Sequence, residues 1–225
     1  MDNNKHKLVL SSLNGDSVQV CPDLYLFKTS KSTNRHTQSY GLVRNDRLVL
    51  IDTVHEINKE AVEELKKKFP LSALLLTDSS LLSQSWGSIE ELQNWLNCPV
   101  YAYPSTIIKE EVNNIVTAAN FLGAYGLNVM RIPGVSPSSI IIYDSIGKYL
   151  FTGNSFVGSD YRSATNLFFH PAMNEEKWSL FYNAWRDIRF SEVKAIFPLQ
   201  GKFKTNIPSW TVEKDRIMIQ DNSTD

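Results

Sequence analysis

The sequence predicts an α/β chain of the α+β kind, with two mixed β-sheets packed together and helices outside. Three observations predict it. Short segments rich in β-branched and aromatic residues pair around turns; stretches with apolar residues at helical spacing separate them; and the alternation occurs in two halves, each with a hairpin.

The first half opens on Val18-Gln19-Val20, Leu24-Tyr25-Leu26-Phe27, Tyr40-Gly41-Leu42-Val43 and Arg47-Leu48-Val49-Leu50-Ile51, each short and β-prone. Asn45-Asp46 is a turn between the last two, which makes them a hairpin. A helix follows, with Asn58 as its N-cap, Ala61, Val62, Leu65 and Phe69 on one face, and Pro70 as its stop. Lys66-Lys67-Lys68 falls late in this helix, where it complements the C-terminus rather than forming a binding patch. Ala73 to Thr77 is a buried strand. Ser88-Ile89-Glu90-Glu91 is a capping box opening a second helix with Ile89, Leu92 and Leu96 inward. Pro99 to Tyr103 is the next strand, and Ile108, Val112, Ile115, Val116 and Ala119 have the spacing of a third helix.

In the second half, Asn128 to Ile132 is a strand. Ser139 to Tyr143 and Lys148 to Thr152 form a hairpin around Ser145-Ile146-Gly147. Residues Asn174 to Ile188 are helical, with Trp178, Phe181, Trp185 and Ile188 on one face, and Val193 to Pro198 is a late strand.

The chain has 225 residues, 42% hydrophobic and 21% charged, with a net charge of -1. That suits one domain over residues 1–225 with a sizeable core, and no linker is long enough to divide it. Residues 1–7 and 220–225 are polar and read as loose termini. The balanced charge gives no reason to expect nucleic acid, and no apolar run approaches the ~20 residues of a membrane span. A polar N-terminus without an apolar h-region points to the cytoplasm. Cys21 and Cys98 lie far apart with no CxxC, and read as free, buried thiols.

Five segments carry the chemistry. They are Leu50-Ile51-Asp52-Thr53, the loop Thr77-Asp78-Ser79-Ser80-Leu81-Leu82-Ser83, the turn Pro133-Gly134-Val135-Ser136-Pro137, the strand end Leu150-Phe151-Thr152-Gly153-Asn154, and the turn Pro198-Leu199-Gln200-Gly201. Their order and intervals resemble the metallo-β-lactamase fold superfamily from about Leu24 to Gly201. The resemblance implies a four-layer αββα sandwich. The family pattern runs T-H-x-H-x-D-H, P-G-H-[ST]-x-G, F-T-G-D and P-G-H-G. Its metal-ligand positions fall here on Asp78, Ser80, Leu82, Ser83, Val135, Asn154 and Gln200, so every ligand is replaced while the flanking residues persist.

Zinc and iron sites need several converging nitrogen, carboxylate or thiolate donors. One carboxylate among hydroxyls, amides and aliphatics does not meet that need. Leu82 and Val135 offer no lone pair, and burying each would contribute roughly 1.5–3 kcal/mol of packing. Without the cation there is no water of lowered pKa. The expectation is a pseudoenzyme with no cofactor that binds a small molecule or a protein partner. The alternative is a residual or repurposed hydrolase of the thioester, phosphodiester or lactone class, using the polar pocket of Asp78, Ser80, Ser83, Asn154 and Gln200. A third reading is a structural subunit of a homo-oligomer, whose aromatic lid segment, Phe168-Phe169-His170-Pro171, makes a homodimer contact.

Asp52 lies behind the ligand positions in the family and reads here as a cap on loop amides. The histidines are His6, His36, His55 and His170. A rebuilt site from His55, Asp78 and His170 competes with the plainer reading of loop histidines in local hydrogen bonds. Gly153-Asn154-Ser155-Phe156-Val157-Gly158 is one residue too long for a nucleophile elbow, and no phosphate-binding glycine motif occurs. Phe168, Phe169, Trp178, Phe181, Tyr182 and Trp185 could line a cleft, but the helical spacing of Trp178, Phe181 and Trp185 favours core.

Overall fold

The computed structural model describes residues 11–12, 17–28, 37–79, 89–104, 112–133, 136–158, 167–169 and 175–219. One eight-stranded sheet has the order β1 (Ser11–Ser12), β2 (Ser17–Cys21), β3 (Leu24–Lys28), β4 (Gln38–Arg44), β5 (Arg47–Ile51), β6 (Leu71–Leu75), β7 (Val100–Ala102) and β8 (Asn113–Asn114). Its pairs are antiparallel as far as β5 and parallel beyond it. The change follows the connections. Asn45-Asp46, both at positive φ (50° and 57°), form a tight hairpin turn, whereas α1 (Lys59–Lys68) and α2 (Ile89–Leu96) carry the chain back over the sheet.

The second sheet takes β9 (Leu127–Arg131), β10 (Ile140–Asp144), β11 (Tyr149–Gly158), β12 (Leu167–Phe169), β13 (Ala195–Gln200) and β14 (Lys204–Thr205). Its order is β14-β13-β11-β10-β9, with β12 also paired to β11. Only the β11–β13 pair is parallel, so both sheets are mixed as predicted.

Strand periodicity divides the core into layers. Val49, Ile51, Leu75, Ile140, Ile142, Phe151 and Phe197 meet between the sheets. Their sequence neighbours point the other way. Leu48, Leu50 and Leu74 pack on α1 and α2 through Val62, Leu65, Leu92 and Leu96. Ile141, Leu150 and Ile196 pack on Phe181, Trp185 and Ile188 of and just beyond α4 (Glu175–Arg186). Strands buried on both faces lose the polar alternation of an exposed sheet, which explains the runs Leu48-Val49-Leu50-Ile51 and Ile140-Ile141-Ile142. The aromatic face of α4 is core: Trp178 stacks on Phe181, and Phe156 meets Trp185 edge-on at 4.8 Å.

The fold corrects several expectations. The third helix predicted from Ile108 to Ala119 does not form over residues 112–118, and Ile108 lies outside the described residues. Asn113–Asn114 pairs with β7, Ile115–Thr117 is a 3-10 turn, and only Ala119–Ala124, α3, is α-helical. Asn114 Oδ1 accepts from the Val116 amide at 2.9 Å, and Asn113 Nδ2 donates to Val100 O at 3.2 Å. These local bonds compete with a helix, and Val116 is left exposed. Asn58 stands at the start of α1 but makes no side-chain cap; its side-chain amide donates to Lys28 O at 2.9 Å instead. Thr152 to Asn154 is not a strand end, because β11 runs on to Gly158 through a bulge at Gly153 and gains β12 and the end of β13 as partners. Pro198-Leu199-Gln200 belongs to β13 rather than to a turn. The strand predicted to reach Thr77 ends at Leu75. Cys21 and Cys98 are free and half-buried rather than buried.

One helix went unpredicted. Trp210–Ile219, α5, lacks a clear apolar stripe and is held by separate contacts, among them Lys214 Nζ donating to Arg186 O at 2.7 Å and Ile188 O at 2.9 Å. Trp210 packs edge-on against Trp185, and a buried Lys204–Glu213 pair at 2.6 Å ties the helix to β14. Among the described residues no helix is long and apolar enough to cross a membrane.

Candidate functional site

The first sheet delivers two carboxylates to one edge of the sandwich. At the end of β5, Asp52 adopts a left-handed conformation (φ 63°), and its amide donates to Leu75 O at 2.8 Å. That turn aims the side chain at the segment leaving β6. Asp52 Oδ1 accepts from the Thr77 amide at 2.8 Å and the Thr77 hydroxyl at 2.6 Å. Burial pushes the Asp52 carboxyl up to about 7; the Thr77 bonds oppose this and the charge of Asp78 adds to it. Asp52 thus holds one loop amide and one hydroxyl, both of Thr77.

Thr77 also joins the sheets. Its carbonyl accepts from the Ile140 amide at 2.8 Å, at the start of β10. Its side chain lies on Gly153 of β11, where φ is 54° and any Cβ would collide with it. Thr77 and Gly153 fit each other for a structural reason: a left-handed backbone and a close approach at the same point.

Asp78 lies next along the chain, buried with 1% of its surface exposed. It faces serines that precede β10. Ser138 Oγ donates to Asp78 Oδ1 at 3.0 Å and Ser139 Oγ to Oδ2 at 3.1 Å. Ser79 Oγ donates to Ser138 Oγ at 2.7 Å, and Ser136 Oγ lies 3.1 Å from both Ser138 Oγ and Ser139 Oγ. Sequence reasoning missed Ser79, Ser138 and Ser139 as site residues. A signal existed, since Ser138 stands where the pattern P-G-H-[ST]-x-G ends in glycine.

Asn154 lies beside Gly153 on β11, half-buried, with its Oδ1 buried and without a hydrogen-bond partner among the described residues. Gln200 ends β13 opposite Val157 and bridges to Thr37. Gly201 beyond it (φ 80°) lies against the backbone of Gly158, leaving no room for a side chain, and Gln38 Nε2 donates to Gly201 O. Neither Asn154 nor Gln200 is hydrogen-bonded to Asp78. Ser80, Leu82, Ser83 and Val135 lie outside the described residues, as do His6, His36 and His170. His55 caps the 3-10 turn Glu56–Asn58, its Nδ1 accepting from the Ile57 amide at 3.3 Å, which is the local role.

The described donors do not fit a zinc-type ion. Both oxygens of Asp78 take hydroxyl hydrogens, Asn154 and Gln200 supply neutral amides, and no group of three or more His, Cys, Asp or Glu occurs among the described residues.

Two mixed sheets face to face, helices on both outer faces and a polar site at the shared edge define an αββα sandwich with an edge site. The chain has the metallo-β-lactamase fold. It superposes on the DIM-1 metallo-β-lactamase with a TM-score of 0.60 and 14% identity, covering 89% of this chain and 95% of that one. A metallo-β-lactamase from Pontibacter korlensis gives 0.59 and 17%, covering 96% and 100%. The FIM-1 enzyme from Pseudomonas aeruginosa, in its mono-zinc form, gives 0.58 and 13%, covering 95% and 96%. At these identities the likeness is one of fold. No protein-family model matches the chain, and no curated protein matches its sequence.

Proposed function

We propose that this metallo-β-lactamase-like chain works in the cytoplasm without a dinuclear metal centre, by binding a small molecule or a protein partner at the shared edge of its sheets. The observation that carries this reading is the state of Asp78. It is the one carboxylate at a ligand position, and Ser138 and Ser139 donate to both its oxygens. The sandwich core does not depend on a metal, so the frame survives a change of ligands. Elemental analysis of protein purified without chelator tests the reading. Less than a tenth of an equivalent of zinc, iron or manganese is expected; a stoichiometric ion at the site overturns it.

A second reading is a hydrolase that uses the polar groups left at this edge. The buried Asn154 Oδ1, without a partner among the described residues, favours it, because an unsatisfied acceptor suits a substrate that donates a hydrogen bond. Thioester, phosphodiester and lactone substrates form the panel. Turnover that falls at least tenfold in Asp78→Ala supports this second reading, and turnover indifferent to Asp78→Ala removes it.

A further inference from the structure

The hydroxyls around Asp78 come from both sheets. Ser79 follows β6 of the first; Ser136, Ser138 and Ser139 precede β10 of the second. Besides its hydroxyl bond, Ser79 donates its amide to Ser138 Oγ at 3.3 Å. Bonds within the segment before β10 fix these hydroxyls in place. The Ser138 amide donates to Ser136 Oγ and the Ser136 amide to Ser139 Oγ, both at 3.2 Å. Asp78, Ser79, Ser138 and Ser139 are 1%, 2%, 3% and 2% exposed. Hydrogen bonds to a carboxylate shielded in this way are stronger than the same bonds in water.

We infer that Ser138 and Ser139 are a latch: they occupy Asp78 from within, tie the end of β6 to the start of β10, and must be displaced before any ligand reaches the carboxylate. This deepens the metal-independent reading above and rests on it. A bridging metal would hold such loops through fixed coordination bonds. The serines hold them through bonds that a ligand able to donate two hydrogen bonds can replace one for one, so the site is closed when empty and opens by exchange rather than by unfolding.

Hydrogen exchange on the full chain tests the latch. Ser138→Ala and Ser139→Ala, made singly to protect the fold, are expected to speed exchange of the Ser79 and Ile140 amides roughly tenfold or more. Amides beside Arg44, at the far edge, serve as the internal control. Wild-type rates are expected to be the same with EDTA and with added zinc, calcium or sodium. Unchanged Ser79 and Ile140 exchange in both variants of metal-free protein overturns the latch alone. Stoichiometric zinc in the wild type overturns the latch and the reading beneath it. Slower wild-type exchange with calcium or sodium also overturns the latch, in favour of an oxygen-lined cation site. Ser139→Thr, which keeps the hydroxyl, is expected to restore wild-type protection, and its failure to do so counts against the latch.

Discussion

The two edges of the sandwich hold buried carboxylates by different means. At one edge Arg44, at the end of β4, spans the sheets, donating to Asp23 through Nη1 and to Asp144, at the end of β10, through Nη2. Tyr149 donates to Asp23 Oδ1 at 3.2 Å, and the Ile146 amide to Asp144 Oδ1 at 2.9 Å. At the other edge Asp52 and Asp78 are held by an amide and hydroxyls. A guanidinium carries a full charge into the pair, whereas hydroxyls and amides carry only dipoles. The first arrangement is a fixed clamp. The second leaves a carboxylate that titrates near neutrality, and bonds that another donor can replace. An edge built in the second way suits exchange with a ligand; an edge built in the first way suits holding two sheets in register.

Removing the arginine breaks the comparison with the largest effect. Arg44→Ala leaves Asp144 fully buried with only amide donors and is expected to cost about 3–5 kcal/mol, read from urea unfolding. Burial already raises the Asp144 carboxyl, and Arg44 is the first group opposing that rise. The variant should therefore also lose stability more steeply as pH rises from acid toward neutral. The pair Arg44→Met with Asp144→Leu, which removes both charges, should recover most of the loss. A cost below about 1 kcal/mol for Arg44→Ala would mean that the clamp is no stronger than a surface ion pair.

Asp52→Asn tests the other edge. The folded carboxyl is raised to about 7 from 3.8, chiefly by burial. Between those values the folded protein binds the proton and the unfolded chain does not. The contribution to stability is therefore full below about pH 3.8 and is lost as pH climbs through about 7. Asparagine tolerates the left-handed backbone at this position and keeps the acceptor that Thr77 uses. The variant should match the wild type at pH 4, exceed it by a few kcal/mol at pH 8, and show a flatter urea midpoint against pH. A wild-type curve that rises over this range would contradict the assignment.

The same contrast separates what could be read from sequence from what could not. Turn chemistry and binary patterning were legible, because Asn45-Asp46, Pro70 and the run Ile140 to Ile142 act locally. The third-helix error has a local cause too, since Asn113 and Asn114 spend their side chains on the backbone inside an otherwise helical spacing. The fold that carries Asp52, Asp78, Asn154 and Gln200 was legible from the order of the five segments. The partners of Asp78 were not. Ser138 and Ser139 lie some sixty residues away on the other sheet, and serines in a loop look alike until the fold shows which face a carboxylate. The arginine clamp was hidden for the same reason, its members lying on β4 and β10 and in the turn after β2. Helix α5 was illegible because an ion pair, one tryptophan and the Lys214 ammonium anchor it in place of a stripe.

Thr77→Val gives the smallest effect and separates the two things Thr77 does. Valine keeps the shape that packs on Gly153 and keeps the amide bond to Asp52, but it loses the 2.6 Å hydroxyl bond. The expected cost is about 1–2 kcal/mol near neutral pH. That hydroxyl holds the Asp52 carboxyl down, so without it the carboxyl should titrate higher, and the pH at which stability is lost should move up with it. Thr77→Ser reverses the choice: the hydroxyl stays, the methyl against Gly153 goes, and the titration should stay where it is while a smaller packing loss remains. Urea midpoints collected from pH 4 to pH 9 for both variants distinguish the roles. If both curves shift alike, it is Thr77's packing rather than its hydroxyl that sets the charge state of Asp52, and this edge is governed by shape as much as by hydrogen bonding.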